Sequence, residues 1–496
     1  MSQVLRDARR YEEEKDRFIG AGDRPAFHLS ARVGWMNDPN GFSYYDGQYH
    51  MFYQYHPYDS SWGPMHWGHA VSGDLIHWSY LPAAMAPDKP YDRDGCYSGG
   101  AVTLPDGRQM LMYTGRSLIV DENGNEQELQ TQNLAFGDGD NYVKYAKNPV
   151  ITGADLPEGG NPYAFRDPMV WIEEDGTFRA VVANQDVHHG GQILLYRSED
   201  GVHWSYMRPL MKDDHTLGMM WECPAFFPLD GKYVLLASAQ DMLPSGLEYH
   251  NGNGTFYFIG DYDRETGEFK PESNHAIDYG IDFYAPQTVL TPDGRRVMIG
   301  WMQNWDTCIM RIQSFPWFGQ MSIPRELKIR DGRLYQWPIR ELEALRTDPV
   351  EYRDVIVEDG EITLPGVSGR LIDLELELEP IEGRELYRKF ALRFAQNEKF
   401  HTGVSFRPYE STIKIDRKFS GSRRAIIHQR RAEVSHESGK IKMRLILDRF
   451  SAEIFVNDGE KVLTATLYTE QSAEGISFVC NGAVKINVTK YALKEM

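Results

Sequence analysis

Three acidic residues occupy the same position in a repeated pattern of the sequence. Five Asp-Gly dipeptides each precede an aromatic or aliphatic run, and Asp38, Asp167 and Glu222 lie eight residues before three of them. A proline follows each acid within two residues. Two neighbouring carboxyl groups, one protonated and one ionised, can cleave a glycosidic bond, because the first protonates the leaving oxygen while the second attacks the anomeric carbon.

Each acid by itself has a simpler explanation. Asp38 lies in Asn-Asp-Pro-Asn-Gly, which is also a good turn sequence. Arg166 could form a local ion pair with Asp167. Glu222 stands between a tryptophan and a cysteine, and a charge in such an apolar setting is rarely buried without a partner or a purpose. The shared offset makes the three acids together a stronger signal than any one of them.

Other reactive side chains point to structural roles. Cys223 has no basic sequence neighbour that would stabilise a thiolate, so we expect a small buried side chain and no nucleophile. The pair His188-His189 could suggest a metal site, but adjacent residues of a strand point to opposite faces, which favours a loop. The sequence predicts no metal and no cofactor.

The Asp-Gly dipeptides also predict the architecture. They recur at intervals of 55 to 69 residues, at Asp46, Asp106, Asp175, Asp230 and Asp293. Asp-Gly between two strand-like runs is a strong hairpin signal, since both residues tolerate the positive φ of a tight turn. Five similar all-β units favour a five-bladed β-propeller, and the alternative is a row of unrelated hairpins in a large sandwich. A propeller would gather the three acids at one mouth of its channel, where repulsion raises the pKa of at least one.

The period ends after Trp337, where the sequence pattern changes. Leucines alternate with acids over 371–379, and a further tight turn at 457–459 separates two strand-like runs. This pattern is typical of a β-sandwich. We therefore predict an all-β protein, a five-bladed β-propeller followed by a C-terminal β-sandwich. Its predicted parts are a charged helical segment at 1–24, the propeller at 25–338, a linker at 339–352 and the sandwich at 353–496.

Bulk composition excludes several classes of function. The chain has 72 acidic and 53 basic side chains and a net charge of −19, which argues against a nucleic-acid partner and against an anionic membrane surface. No apolar run is long enough to span a bilayer. The first twenty residues are too charged for a secretory signal, and the four cysteines form no CxxC pair, so we expect a cytoplasmic protein with reduced thiols. The sequence leaves open whether the protein forms a homo-oligomer.

Several blocks resemble a known family, glycoside hydrolase family 32, which contains invertases, sucrose-6-phosphate hydrolases and fructanases. The three that match its signatures are Trp35-Met-Asn-Asp-Pro-Asn-Gly41, Phe165-Arg-Asp-Pro168 and Trp221-Glu-Cys-Pro224. Further blocks such as Gly300-Trp-Met-Gln303 and Pro324-Arg-Glu-Leu327 extend the resemblance over nearly the whole propeller. The run 447–459 is similar to that family's C-terminal sandwich.

The resemblance implies cleavage of terminal β-fructofuranosyl bonds with retention of configuration, in sucrose, sucrose 6-phosphate or short fructo-oligosaccharides. It implies that Asp38 is the nucleophile, Glu222 the general acid/base, and Asp167 the residue that binds fructose hydroxyls and stabilises the transition state. The partner would be a small fructoside, with no metal. The remaining residues that the resemblance assigns to substrate binding are Trp35, Asn37, Gln54, Trp62, Tyr97, Ser98 and Arg166.

Two positions depart from the family pattern. Ala225 stands where many sucrose-cleaving members have an acid, and Gly100 stands where many have serine. We expect both near the pocket rim, where they would affect the leaving-group preference. The competing functions are a fructosyltransferase, a fructan exo-hydrolase and, from a different class, a non-catalytic propeller that binds fructosides.

Overall fold

The computed structural model describes residues 1–120, 123–213, 215–308, 315–421 and 427–495. Helix α1 spans Gln3–Asp16, inside the segment for which the sequence predicted a helix, and packs its buried face near the first blade. Short 3-10 helices occur at Ala21–Asp23, Gly153–Asp155, Arg340–Leu345 and Pro408–Glu410. None of the helices in the described part of the chain has the length and apolar character needed to cross a bilayer.

Residues 34–338 form five sheets, each built on four antiparallel strands, and the first sheet has the short strand Trp317–Phe318 as an additional edge strand. Blade 1 contains β1 (Gly34–Tyr45), β2 (Gln48–His56), β3 (His66–Ser72) and β4 (Trp78–Met85). Blade 2 contains β5 (Gly95–Thr103), β6 (Gln109–Val120), β7 (Glu126–Gly137) and β8 (Tyr142–Lys144). Blade 3 contains β9 (Gly160–Ile172), β10 (Phe178–Asp186), β11 (Gly191–Ser198) and β12 (Ser205–Lys212). Blade 4 contains β13 (Met220–Leu229), β14 (Lys232–Met242), β15 (Gly252–Asp263) and β16 (Glu268–Ala276). Blade 5 contains β17 (Tyr284–Leu290), β18 (Arg296–Trp301), β20 (Arg325–Arg330) and β21 (Arg333–Pro338), with the short β19 (Trp317–Phe318) between β18 and β20 in the chain.

The five sheets are arranged in a closed ring. β1 contacts β5 and β17, β9 contacts β5 and β13, and β13 also contacts β17, so the first strand of every blade lines the central channel. The ring is closed by β19, which pairs in parallel with β1 through Gly34 and Trp317. This arrangement confirms the predicted five-bladed propeller and excludes the row of unrelated hairpins.

Each Asp-Gly dipeptide joins the first and second strands of a blade, as predicted. In Asp46-Gly47 and Asp230-Gly231 both residues have positive φ, 45° and 79° in the first turn and 49° and 82° in the second. In the other three turns the glycine alone has positive φ, at Gly107, Gly176 and Gly294. The expectation of positive φ at both residues is wrong in these three, because a longer connection between the strands spreads the reversal over more residues.

The C-terminal strands form one continuous sheet that folds into two layers. They are β22 (Arg346–Ile362), β23 (Ile372–Pro380), β24 (Lys389–Gln396), β25 (Thr402–Arg407), β26 (Thr412–Asp416), β27 (Gln429–Glu433), β28 (Ile441–Asp448), β29 (Ser451–Val456), β30 (Lys461–Thr466) and β31 (Gly475–Leu493). One layer has the order β23-β28-β29-β30 and the other β24-β25-β26-β27, and the long β31 pairs with both and with β22. Their inward apolar side chains share one core, which confirms the sandwich.

The boundary between the two parts is shorter than predicted. The expected linker at 339–352 contains a 3-10 helix and then the first residues of β22, whose Arg346 pairs with Leu493 of β31. The linker prediction is therefore wrong for its second half, because pairing with β31 satisfies the backbone of that segment as strand.

A buried ionic cluster joins the N-terminal segment, the propeller and the sandwich. The His28 ring lies between Asp448 and Glu453, with Nδ1 2.7 Å from Oδ2 of the first and Nε2 3.0 Å from Oε1 of the second. Arg325 of β20 donates from Nε to Glu453 Oε2 at 3.0 Å. Burial alone would lower the pKa of His28, but the two carboxylates outweigh it and raise that pKa to about 9.

Candidate active site

The three predicted acids lie on innermost strands where the ladder is irregular. The pairing of β1 with β2 shifts register at Asp38, that of β9 with β10 at Asp167, and that of β13 with β14 directly after Glu222. Asp167 and Cys223 adopt positive φ there, 62° and 49°. A proline cannot donate to a ladder and is tolerated at such bulges, which re-aim the neighbouring side chain. The shared proline thus marks the place where each strand turns an acid toward the channel mouth.

The Asp38 carboxyl group is buried in this mouth. The Ser98 hydroxyl donates to its Oδ2 at 2.7 Å and the Cys223 thiol lies 3.5 Å from the same oxygen, whereas Oδ1 has no hydrogen-bond partner in the described structure. Burial, and then the charge of Glu222, raises the pKa of Asp38 to about 6, against the lowering by the Ser98 hydrogen bond. A carboxylate with one free oxygen is suited to form a bond to a molecule in the cavity.

Asp167 approaches Asp38 through a shared neighbour, Cys223. The Cys223 N–H donates to Asp167 Oδ2 at 3.0 Å, and its Sγ lies 3.6 Å from that oxygen. Burial raises the pKa of Asp167 most, Arg166 lowers it, and the charges of Glu222 and Asp38 raise it further. The prediction that converging carboxylates raise a pKa is confirmed, although burial is the larger cause. Burial also raises the pKa of the Cys223 thiol, which therefore remains a neutral donor.

Both oxygens of Glu222 accept hydrogen bonds. Arg166 donates from Nε and Nη2 to Oε1 at 3.1 and 2.9 Å. Gln240 Nε2 and the Tyr284 hydroxyl donate to Oε2 at 2.9 and 2.7 Å. Arg166 Nε is 4.0 Å from Asp167, so its main partner is Glu222 and the purely local Arg166–Asp167 pair is excluded. These contacts set the direction of the Glu222 carboxyl group.

The acids open into one cavity of about 320 Å³. With one exception, the residues that the sequence assigned to substrate binding line it: Asn37, Gln54, Trp62, Tyr97, Ser98 and Arg166. The exception is Trp35, whose ring stacks on Phe318 at 4.8 Å and whose Nε1 donates to Asn37 Oδ1 at 2.7 Å. Trp35 therefore orients Asn37 from behind the cavity wall. Trp62 is 42% exposed and lies at the mouth.

Sequence reasoning missed two hydrogen-bond partners of Glu222. Tyr284 precedes Ala285, which stands at the fifth position of the Asp-Gly pattern and is also followed by proline, so a signal was present. Gln240 lies on β14 opposite Met220, and no motif marks it. Other lining residues without a sequence signal are Glu128, Gln130, Tyr163 and Trp305. In the described residues no group of three or more His, Cys, Asp or Glu side chains could hold a metal ion.

Two expectations about the pocket rim are wrong. Ala225 is 2% exposed and packs in an apolar cluster between blades, because the bulge after Glu222 turns its side chain away from the cavity. Gly100 lies against the backbone of Pro168 and Met169, where an added Cβ would come within 3.2 Å of Met169 Cα. Both residues pack between blades and do not line the cavity.

The chain is similar to proteins of one family throughout its length. A model described as glycosyl hydrolases family 32 N-terminal domain matches residues 28–338, and one described as glycosyl hydrolases family 32 C terminal matches 341–495. A raffinose invertase of Escherichia coli is 36% identical over 91% of this chain and 91% of its own length. A levanase of Bacillus subtilis is 34% identical over 95% of this chain and 71% of its own length.

Solved structures show the same likeness. A β-fructofuranosidase mutant of Bombyx mori in complex with sucrose has a TM-score of 0.84 and 34% identity, with 100% of this chain and 99% of that chain covered. Fructan 1-exohydrolase IIa of Cichorium intybus has a TM-score of 0.81 and 27% identity, with 96% and 98% covered. The similarity thus extends over both parts of the fold.

Proposed function

The chain belongs to glycosyl hydrolase family 32, and on that basis we propose that it is a retaining β-fructofuranosidase that hydrolyses terminal β-fructofuranosyl bonds. The observation that carries the proposal is the shared cavity of Asp38, Asp167 and Glu222, three acids from three different blades. A non-catalytic sugar-binding propeller has no need for three buried carboxyl groups in one cavity, since burying them costs stability.

In the proposed first step, Asp38 attacks the anomeric carbon of the fructosyl unit while Glu222 donates a proton to the glycosidic oxygen. The bond to the leaving sugar breaks and a covalent fructosyl ester of Asp38 forms. The anomeric carbon of fructose is tertiary and readily develops oxocarbenium-like charge. Ser98 and Cys223 hold the Asp38 carboxylate, and a neutral thiol beside it does not compete as a nucleophile.

In the second step, Glu222 takes a proton from water, which attacks the same carbon and releases Asp38 as a carboxylate. Two inversions at one carbon give net retention. Asp167 is proposed to bind fructose hydroxyls and to stabilise positive charge at the transition state. Arg166, which lies against both Asp167 and Glu222, keeps the two carboxyl groups in position between the steps.

The proposed substrates are sucrose, sucrose 6-phosphate or short fructo-oligosaccharides. Exo-hydrolysis of longer fructans is a second candidate, favoured by the aromatic mouth of the cavity, where Trp62 is 42% and Tyr163 38% exposed and offer flat faces to a further sugar unit. We also propose a cytoplasmic location, which the four free cysteines support. That the protein forms a homo-oligomer remains a prediction.

The test is hydrolysis of sucrose, sucrose 6-phosphate, 1-kestose, inulin and levan side by side, with NMR following the first fructose anomer released. Retention predicts the β anomer first. Asp38→Asn and Glu222→Gln should each lower kcat by about 10²–10⁴-fold, whereas Glu272→Gln on the outer strand β16 should not. Initial release of the α anomer, full activity in Asp38→Asn, or no hydrolysis of any of these sugars would each refute the proposal.

A further inference from the structure

A second cavity lies on the sandwich, on the outer face of the layer β24-β25-β26-β27. Its volume is about 440 Å³, larger than the cavity that holds the three acids. Concave sites of a few hundred Å³ are the usual size of small-molecule pockets. The side chains around its rim are Lys389, Arg393, His401, Lys414, Asp416 and Phe419.

Strand alternation explains why this face is both hollow and charged. On β24, Phe390, Leu392 and Phe394 are fully buried in the sandwich core, so Lys389, Ala391 and Arg393 point outward. Ala391 pairs with Ser405 of β25 and with Val479 of β31, and Ser405 pairs with Lys414 of β26. Small side chains thus form the floor, and long basic side chains stand at its edges.

The charge around this cavity is unbalanced at one position. Arg393 pairs with Glu361 at 2.8 Å and Lys414 pairs with Asp416 at 2.7 Å. In the described part of the chain, the Lys389 ammonium has no carboxylate within 4.0 Å. The pKa of Lys389 is lowered, first by burial and then by the charges of Lys414, Arg407 and Arg393. Its surroundings therefore favour an anion close to it.

An aromatic face borders the basic groups. The Phe419 ring is 53% exposed and stacks on the His401 ring, with centroids 5.6 Å apart and an interplanar angle of 28°. The backbone N–H of His401 donates to the backbone carbonyl of Phe419 at 2.8 Å, which holds the two residues together. An exposed ring in a fixed position can pack against the apolar C–H face of a sugar.

We propose that this sandwich cavity binds a phosphorylated monosaccharide, with the phosphate at Lys389 and Lys414 and the sugar ring against Phe419. Lys414 Nζ donates to Asp416 Oδ2 at 2.7 Å and to Gln429 Oε1 at 3.4 Å, which leaves one ammonium hydrogen for a phosphate oxygen. The chain carries a net charge of −19, so its overall field repels anions and binding has to come from this local arrangement. The site is separate from the catalytic cavity and does not depend on the proposed hydrolysis.

The test is isothermal titration calorimetry of the full chain with fructose 6-phosphate, inorganic phosphate and fructose. We expect fructose 6-phosphate to bind more tightly than either of the others. Lys389→Gln should weaken that binding by at least about tenfold, the effect of losing one hydrogen bond to a charged group. Phe419→Ala should weaken the binding of fructose 6-phosphate but leave the binding of inorganic phosphate unchanged.

Two controls distinguish this site from other sources of binding. Lys328→Gln removes an exposed lysine of β20 and should leave the affinity unchanged. Asp38→Asn alters the catalytic cavity and should also leave it unchanged. Equal affinity for inorganic phosphate and fructose 6-phosphate would overturn the assignment to a sugar. Absence of binding, or equal loss in Lys389→Gln and Lys328→Gln, would overturn the site itself.

Discussion

Replacing Ser98 with alanine removes the hydroxyl that donates to Asp38 Oδ2 at 2.7 Å. This hydrogen bond lowers the pKa of Asp38, which burial and the charge of Glu222 raise to about 6. In the proposed mechanism, Asp38 must be ionised to attack the anomeric carbon. Activity should therefore rise with pH through the pKa of Asp38, and Ser98→Ala should move that rise to higher pH.

The size of the shift follows from the geometry. A hydrogen bond to a charged group contributes about 1.5–3 kcal/mol, and one pKa unit corresponds to about 1.36 kcal/mol. Asn37 and Cys223 also lower the pKa of Asp38 and remain in the variant, which favours the lower end, about one unit. At pH 6 the ionised fraction would then fall about fivefold, from about one half to about one tenth, while at pH 8 it would be nearly unchanged.

The assay is the pH profile of kcat/KM with sucrose, since its acidic limb reports ionisations of the free enzyme. Ser72→Ala is a matched control, because this serine caps the turn after β3 by a hydrogen bond to Asp74 and lies outside the cavity. An acidic limb of Ser98→Ala that stays in place or moves to lower pH would refute the reasoning. A uniform loss of activity at every pH would assign Ser98 to substrate binding alone.

Three further results are expected. Asp38→Asn should raise the free energy of unfolding by about 3 kcal/mol above pH 6 and by little below pH 4, because the raised pKa makes ionisation of Asp38 destabilising. Chemical denaturation at both pH values tests this, and equal stability of the variant and the wild type above pH 6 would contradict it. The wild-type melting temperature should fall as pH rises from 6.5 through about 9, because His28 then loses the charge that pairs with Asp448 and Glu453 and the fold loses about 3 kcal/mol of stability. His28→Gln should be less stable than the wild type at pH 6 and should lack this fall in calorimetry. Trp62→Ala should raise KM about fivefold with kcat nearly unchanged, since we propose that this exposed ring at the mouth packs on the sugar away from the reacting carbon. A loss confined to kcat would show that the assignment is wrong.

Much of the fold could be predicted from short-range patterns in the sequence. Each Asp-Gly hairpin depends on residues that are close in the chain, so the turns and the blades around them could be predicted before any tertiary contact was known. Leucines that alternate with acids on β23 likewise mark one buried and one exposed face. The detailed turn geometry was harder to predict, because the number of connecting residues decides whether the aspartate or only the glycine adopts positive φ.

Candidate acids could also be found from the sequence, because the repeat places Asp38, Asp167 and Glu222 at one offset before their turns. Their surroundings could not. Tyr284 and Gln240 reach Glu222 from another blade and from the neighbouring strand, and Arg166 pairs with Glu222 more closely than with the residue beside it.

What the sequence alone determined is the set of strands, their repeat and the acids on the innermost ones, since these follow from short-range patterns of turn residues and side-chain alternation. What only the tertiary structure decided is how the ring closes through β19 and which side chains then share a buried space. Ring closure brings together residues far apart in the chain, and burial in the resulting cavity raises the pKa of Asp38. In the sandwich, the tertiary packing places no carboxylate among the described residues beside Lys389. Desolvation and charge proximity depend on three-dimensional distance, which no local pattern in the chain encodes.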